Sequence, residues 1–202
     1  MRLGNPPEPN GAMHMHGLLL CYSSRMKIID LSLPLYSGMP VFSGDPEVSI
    51  EVIQTIEKDR WNMRRIEMNG HDGTHVNVPA HAVKAGKTLD AYTLEDFCGD
   101  ARIYRAGEPL DSSLGYIVRE RTLDEAFITS MCAAKPRFLG FAFSLETDIE
   151  LKAEKETLAA DIISYERLAN TEQLPDAFRF FGMPLPIRDG DGSPVRAFAI
   201  VD

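Results

Sequence analysis

The residues best suited to chemistry lie in one short stretch, residues 69–81, which reads NGHDGTHVNVPAH. Three of the five histidines in the chain, His71, His75 and His81, fall within eleven residues of it. Neutral imidazole is the commonest metal ligand in proteins and a proton carrier near neutral pH. His71 and His75 are four residues apart, and Gly73 between them lets the backbone bend so that both rings converge. The spacing favours a metal site. The alternative is a polar loop whose histidines only form hydrogen bonds.

The segments before the histidine stretch alternate as strands do. Residues 28–35 favour one strand, and residues 48–57 and 61–69 favour two more that can pair as a hairpin with its turn at 58–60. The histidine stretch itself contains two glycines and a proline within ten residues, which excludes a regular helix and disfavours a long strand. We therefore predict a loop there, or a loop entering a short helix.

The rest of the chain mixes helix and strand signals without strict alternation. Residues 93–97 and 122–135 begin with capping boxes, the second from Thr122 and Glu125. Further predicted elements are a strand over 98–107, a buried strand over 137–144, a helix over 150–160, a strand from 162, and two strands about the DGDG turn in 184–202. This pattern predicts an α/β or α+β single domain with a mixed sheet.

Composition and charge exclude several classes of function. The chain has 202 residues, 44% of them hydrophobic and 25% charged, which is typical of a soluble globular protein. Thirty acidic and 21 basic residues give a net charge of −9, which argues against a nucleic-acid partner. No apolar run approaches the roughly 18 residues of a membrane span. The three cysteines (Cys21, Cys98 and Cys132) form no CxxC pair, and a cytoplasmic location fits them best.

The first 25 residues differ from the rest. They are rich in Pro, Gly and Met and show no periodicity, whereas a clean strand pattern opens at Met26. We predict a flexible N-terminal arm over 1–25, with His14 and His16 solvated, and a single domain over 26–202.

The histidine stretch also resembles a known signature. HDGTHVNVPAH is similar to the pattern His-x-Gly-Thr-His-x-Asp-x-Pro-x-His of the cyclase family, which includes bacterial kynurenine formamidases (arylformamidases) and isatin hydrolases. Residues 28–47, residues 165–170 and the C-terminal segment resemble the opening and closing segments of that family. The resemblance thus extends from about Met26 to the C-terminus.

The resemblance implies a metal-dependent hydrolase that holds one or two divalent ions, zinc or manganese. It implies a β/β/α sandwich of the cyclase or swivelling-domain type and a homodimer whose partner subunit helps to close the pocket. By position, His71 and His75 match metal ligands, Glu166 matches a late glutamate ligand, and His81 matches the catalytic histidine.

Two positions depart from the family pattern. Asn77 stands where the family has a bridging aspartate, and Glu154 stands where it has a further histidine ligand. The candidate metal ligands are therefore His71, His75, Asn77, Glu154 and Glu166. One carboxylate is lost and one gained relative to the family, so this set keeps two, Glu154 and Glu166. A neutral amide bridges two cations poorly, which favours one ion over two. The two carboxylates favour harder ions such as manganese over zinc. The alternative for Glu154 is a solvated position on a charged helix.

The expected reaction is hydrolysis of a small formamide, amide, cyclic amide or lactone, with N-formylkynurenine of tryptophan catabolism as the first choice. His81 would take the proton of water and return it to the leaving nitrogen. Thr74 is expected to hold the loop by a hydrogen bond and is a candidate substrate contact. Trp61 is a candidate for the pocket wall, with a core position as the alternative. The alternative function is a non-catalytic relative that keeps the fold and a ligand pocket.

Overall fold

The computed structural model describes residues 26–201, so the predicted arm, with His14, His16 and Cys21, lies outside the described residues. Within that range the strands are β1 (Lys27–Asp30), β2 (Ser49–Gln54), β3 (Met63–Glu67), β4 (His75–Asn77), β5 (Cys98–Ile103), β6 (Gly115–Val118), β7 (Phe138–Phe141), β8 (Ile163–Glu166), β9 (Ala177–Phe181), β10 (Gly192–Pro194) and β11 (Phe198–Val201). The helices are α1 (Ile56–Asp59), α2 (Glu125–Ala134) and α3 (Asp148–Ala159). Short 3₁₀ turns cover Pro79–His81, Leu89–Ala91, Leu94–Phe97 and Thr171–Gln173.

Nine strands form one mixed sheet in the order β1-β11-β9-β5-β6-β7-β8-β4-β10. The pairs within β5-β6-β7-β8 are parallel, and every other pair in this sheet is antiparallel. The sheet is curled, and the predicted α/β fold with a mixed sheet is confirmed. None of the described helices is long and apolar enough to cross a membrane.

Each face of the sheet has its own apolar core. On one face Phe138, Tyr165 and Phe180 pack ring against ring, with centroids 4.8–5.7 Å apart. On the other face α2 packs on the strands through the buried Phe127 and Met131 of the predicted stripe, and Leu123, which precedes α2, is buried in the same core. The alternation of side chains along each strand is what separates the two cores.

Three sequence predictions about elements need correction. Helix α2 is capped by Asp124, whose carboxylate accepts from the Phe127 N–H, rather than by Thr122. Strands β4, β6 and β9 were not predicted, and β4 lies inside the stretch expected to be a loop. No strand forms in residues 184–191 before the end of the DGDG turn: β10 and β11 both follow Asp191, where β10 pairs with β4 and β11 lies between β1 and β9. Strands this short gain more by joining existing neighbours in a large sheet than by forming an isolated hairpin.

The predicted hairpin is confirmed as a separate two-stranded sheet. Strands β2 and β3 pair antiparallel, and α1 forms the turn between them. Its large apolar side chains are exposed, with Ile66 at 59% and Trp61 at 58%. Trp61 therefore lies on the surface of this chain, where its indole N–H donates to Gln54 Oε1 at 2.8 Å, and the alternative of a core position is wrong.

Candidate active site

Strand β4 carries the centre of the site. His75 and Asn77 are two residues apart on this strand, so their side chains point to the same face of the sheet. The antiparallel register sets Glu166 of β8 directly opposite His75. Side chains directly opposite each other in such a pair lie close together on one face. One strand pairing therefore brings together His75 and Glu166, which are 91 residues apart in the sequence.

The loop before β4 bends as the sequence predicted. Gly73 has φ +66°, a left-handed conformation, and a Cβ there would lie 2.7 Å from Leu35 Cδ2. The next residue, Thr74, donates its hydroxyl to the Arg167 carbonyl at 2.7 Å and accepts from the Leu33 N–H at 2.9 Å. Thr74 thus holds the loop by hydrogen bonds on both sides.

We define the inner group as His75, Asn77, Glu154 and Glu166, all of which are at least 94% buried. The Asn77 amide donates from Nδ2 to Glu154 Oε1 at 2.5 Å and to Glu166 Oε1 at 3.0 Å. Helix α3 brings Glu154 to this face, so the alternative of a solvated position for Glu154 is wrong. One amide therefore holds two buried carboxylates together.

The hydrogen bonds of His75 decide which of its nitrogens is free. Its Nδ1–H donates to the Gly73 carbonyl at 3.0 Å, so Nε2 is the nitrogen left to carry a proton or to bind a metal ion. That Nε2 lies 3.7 Å from Glu166 Oε1. A proton on Nε2, or a cation in its place, would join these two atoms. Neither Glu154 nor Glu166 pairs with a lysine or arginine among the described residues. Carboxylate and imidazole are ligand types that divalent cations take.

The two carboxyls of the inner group have pKa values shifted in opposite directions. Burial, followed by the charge of Glu166, raises the pKa of Glu154 to about 8. Burial also acts to raise the pKa of Glu166. The nearby His75 and a hydrogen bond from the Leu145 N–H outweigh it, so that the pKa of Glu166 falls below its ordinary value. Two like charges in contact favour one shared proton or a bound cation.

We define the outer group as His71, His81 and Asp191. One ring nitrogen of each histidine and one oxygen of Asp191 lie within 4.8 Å of one another. The His71 and His81 rings lie 4.0 Å apart by their centroids, and the side chain of His81 is 32% exposed. His71 links the two groups, because its Nδ1–H donates to Asn77 Oδ1 at 2.8 Å while its Nε2 lies 3.1 Å from Asp191 Oδ2.

His81 closes a 3₁₀ turn, and its Nδ1 lies 3.6 Å from Asp191 Oδ2. Burial, followed by the nearby His71, lowers the pKa of His81, although Asp191 opposes that shift. The ring is therefore neutral at pH 7 and retains a lone pair that can accept a proton. All three histidines of the sequence motif thus meet in space.

Asp191 is the site residue that the sequence analysis did not identify. It lies in the DGDG segment, which reads as a surface turn. Gly192 beside it pairs with Asn77 across β10 and β4, and a Cβ at Gly192 would lie 2.4 Å from His71 Cε1. The glycine allows the His71 ring to pack against this turn. The repeated Asp-Gly pairs were the only sequence signal, and they do not distinguish a turn from a site.

The two groups face a cavity of about 280 Å³. It is lined by His71, His75, His81, Glu154 and Glu166, together with Phe42, Asp45, Ser144, Leu145, Leu151 and Arg167. Asn77 of the inner group and Asp191 of the outer group do not line it. Neither Trp61 nor Thr74 lines this cavity, so substrate contact by these two residues stays a prediction.

Comparison with known proteins places this geometry in a family. Residues 29–136 match the family model described as "Putative cyclase", and the chain belongs to this family. The kynurenine formamidase of Salinibacter ruber is 24% identical over 204 residues, covering 85% of this chain and 96% of that protein.

Solved structures show the same fold. A potential metal-dependent hydrolase with cyclase activity superposes with a TM-score of 0.71 at 22% identity, covering 87% of this chain and 98% of that one. Isatin hydrolase A from Labrenzia aggregata, bound to benzyl benzoate, gives 0.72 at 20% identity, covering 87% and 94%. The recognition of the cyclase family from its motif is therefore confirmed.

Proposed function

We propose that this protein is a metal-dependent hydrolase that cleaves a small aryl formamide, with N-formylkynurenine as the first substrate to test. The observation that carries the proposal is the inner group, in which two buried carboxylates and the free Nε2 of His75 converge beside His81. Relatives that cover most of this chain are kynurenine formamidases, which supports the formamide.

In this proposal one divalent ion is held by His71, His75, Glu154 and Glu166. Asn77 orients both glutamates, since each end of its amide is already hydrogen-bonded. A bound ion would acidify water and polarise the substrate carbonyl.

The residues of this chain perform the proton transfers. His81, neutral at pH 7, removes a proton from the attacking water, whose oxygen forms a bond to the formyl carbon. His81 then returns that proton to the amide nitrogen as the C–N bond breaks, releasing formate and an aryl amine. Asp191 orients His81 and His71 through the contacts of the outer group.

The first experiment measures formate release from N-formylkynurenine. Protein stripped with chelator should be inactive, and added Mn²⁺ or Zn²⁺ should restore turnover. Glu166→Gln removes one charged ligand and should abolish both tight metal binding and turnover. Full activity of the chelator-treated protein would overturn the proposal.

The departures at Asn77 and Glu154 favour a second candidate, a non-catalytic relative that keeps the fold and binds a small molecule. The two candidates differ in metal content. A catalytic site should retain about one ion per chain through purification without chelator. Absence of metal, together with inactivity on formamides and lactones after metal is added, would favour the non-catalytic protein.

We propose manganese over zinc because two of the expected ligands are carboxylates, which suit harder ions. Glu154→His replaces one carboxylate with an imidazole. The ratio of zinc affinity to manganese affinity, measured by competition, should rise in that variant. An unchanged ratio would show that Glu154 does not contact the ion.

We also propose a homodimer formed through the β2–β3 hairpin. Isolated two-stranded hairpins are marginally stable, and exposed apolar patches mark interfaces. The hairpin has four acidic and four basic residues (Glu51, Glu57, Asp59 and Glu67; Lys58, Arg60, Arg64 and Arg65), so it is neutral in a chain of charge −9 and two copies can approach. Ile66→Glu should convert a dimer to a monomer in analytical ultracentrifugation.

Two coarser predictions complete the proposal. We propose that residues 26–202 act as one domain. We also propose a cytoplasmic location, supported by Cys98 and Cys132, which are both free thiols in the described structure.

A further inference from the structure

Arg167 is the one lysine or arginine among the residues that line the cavity of the active site. It follows Glu166 directly in the chain and is half-buried. Its guanidinium donates one hydrogen bond, from Nη2 to the Pro40 carbonyl at 2.9 Å. A guanidinium has five N–H donors, and no carboxylate of the described residues forms an ion pair with Arg167. Arg167 therefore borders the cavity while most N–H donors of its guanidinium have no partner among the described residues.

The backbone of Arg167 is fixed. Its N–H donates to the Phe143 carbonyl at 3.2 Å, and its own carbonyl accepts from the Thr74 hydroxyl at 2.7 Å. Its φ is +57°, a left-handed conformation that glycine adopts more readily than arginine. Strained residues of this kind concentrate where the side chain has a function. The guanidinium thus projects from a rigid base.

The remaining lining residues favour a flat apolar group. Phe42, Leu145 and Leu151 border the cavity, and two of them stay exposed, Phe42 at 47% and Leu151 at 38%. A bound apolar group would cover this surface. The acidic lining residues, Asp45 and the two glutamates, would repel an anion, so an anionic ligand needs the free cation of Arg167.

We infer that Arg167 binds a carboxylate of the substrate, so that the enzyme prefers amides that carry a carboxylate and a flat apolar group over neutral amides of the same size. This inference rests on the proposed function and adds its determinant of specificity. Arginine suits the role because its planar fork can donate two parallel hydrogen bonds to a carboxylate.

The test compares 2-formamidobenzoate, which carries a carboxylate, with neutral formanilide. Arg167→Gln removes the charge at similar length. It should raise KM for 2-formamidobenzoate by ~10–100-fold, the usual effect of losing hydrogen bonds to a charged group. KM and kcat for formanilide should change by less than about twofold, and Arg167→Lys should recover part of the loss.

Arg179→Gln is the matched control, because Arg179 pairs with Asp100 away from this cavity. It removes the same charge from the chain and should leave both substrates unaffected. An equal loss for both substrates in Arg167→Gln would overturn the inference, as would a loss confined to kcat. Either result would place Arg167 in loop support through Pro40 or at the reacting carbonyl.

Binding separates this inference from the proposed function. Calorimetric titration of the manganese-loaded protein with benzoate and with benzamide needs no turnover. The wild type should bind benzoate at least ~10-fold more tightly, and Arg167→Gln should lose that preference. Equal affinity of the wild type for benzoate and benzamide would overturn the carboxylate site, even if the enzyme were active. If neither formamide is turned over, the proposed hydrolase fails, while the benzoate preference still decides the role of Arg167.

Discussion

The inner and outer groups lie side by side but differ in burial, composition and support. The inner group is at least 94% buried and holds two carboxylates on one amide. The outer group is partly exposed, with the side chains of His71 at 22%, His81 at 32% and Asp191 at 53%. The inner group stands on paired strands and a helix, whereas the outer group stands on a loop, a short turn and a surface bend. Buried charges need a cation, and a partly exposed imidazole can exchange protons with water. We therefore assign the ion to the inner group together with His71, and the movement of protons to His81 and Asp191 of the outer group.

Replacing His81 tests that division most severely. His81→Ala should lower kcat by ~10²–10⁴-fold, the usual contribution of a general acid–base group. Its metal content, measured by elemental analysis, should stay near that of the wild type. His75→Ala is the contrasting inner-group variant and should lose the metal. Loss of metal from His81→Ala would make His81 a ligand and break the division.

The variant Asn77→Asp tests the hydrogen bonds that Asn77 donates within the inner group. The exchange keeps the shape but replaces the donor at Nδ2 with a charged oxygen against two buried carboxylates. The metal-free protein should lose about 3–5 kcal/mol of unfolding free energy, the scale for an uncompensated buried charge. Added Mn²⁺ should restore most of it, as denaturant titration would show. Asn62→Asp, on the exposed hairpin, is the control and should change stability by less than ~0.5 kcal/mol. If Asn77→Asp and the wild type were equally stable in chelator, Asn77 would not hold the two carboxylates together.

Asp191→Asn tests the support of the outer group. Turnover should fall by ~10-fold, the lower range for losing a group that orients a ligand or catalytic side chain. Asp191 acts to raise the pKa of His81, so its removal should lower that pKa further. Because the base form exists above the pKa, the acid limb of the kcat profile should move to lower pH. Asp189→Asn, on the exposed part of the same turn, should leave the profile in place. If the acid limb of the kcat profile moved to higher pH, Asp191 would not have this role.

The smallest effect concerns the pH dependence of stability without metal. The pKa of Glu154 is raised in the folded state to about 8. Protonated Glu154 therefore contributes stability that is fully present below the pKa of this residue in the unfolded chain, and this contribution is lost as the pH rises toward 8. Between pH 5 and 8 in chelator, the wild type should lose at least ~1 kcal/mol relative to Glu154→Gln, or ~2–4 °C in Tm. Glu156→Gln, exposed on the same helix, is the control. If Tm depended on pH equally in the wild type and in Glu154→Gln, Glu154 would already be ionised in the folded protein.

The sequence predicted those parts of the site that depend on neighbouring residues. His71, Gly73 and His75 lie on one short bent segment, and the left-handed bend at Gly73 follows from its residue type. The capping box at the start of the 3₁₀ turn at Leu94 likewise depends on side chains three residues apart. Glu154 was harder, because a helix rich in Lys and Glu has the same pattern whether or not one glutamate is buried. Asp191 reaches His71 across a sequence separation of 120 residues, and no local pattern marks that contact.

The sequence alone determined that three histidines would lie within eleven residues around a bend at Gly73, since spacing and glycine content set the local backbone. Only the tertiary structure decided that Asn77 would bind two carboxylates, that Asp191 would join His81, and that Arg167 would face the cavity. These contacts depend on the register of β4 with β8 and β10 and on the packing of α3 against the sheet. That register is the outcome of burying one face of each strand across the whole domain, which no single segment specifies.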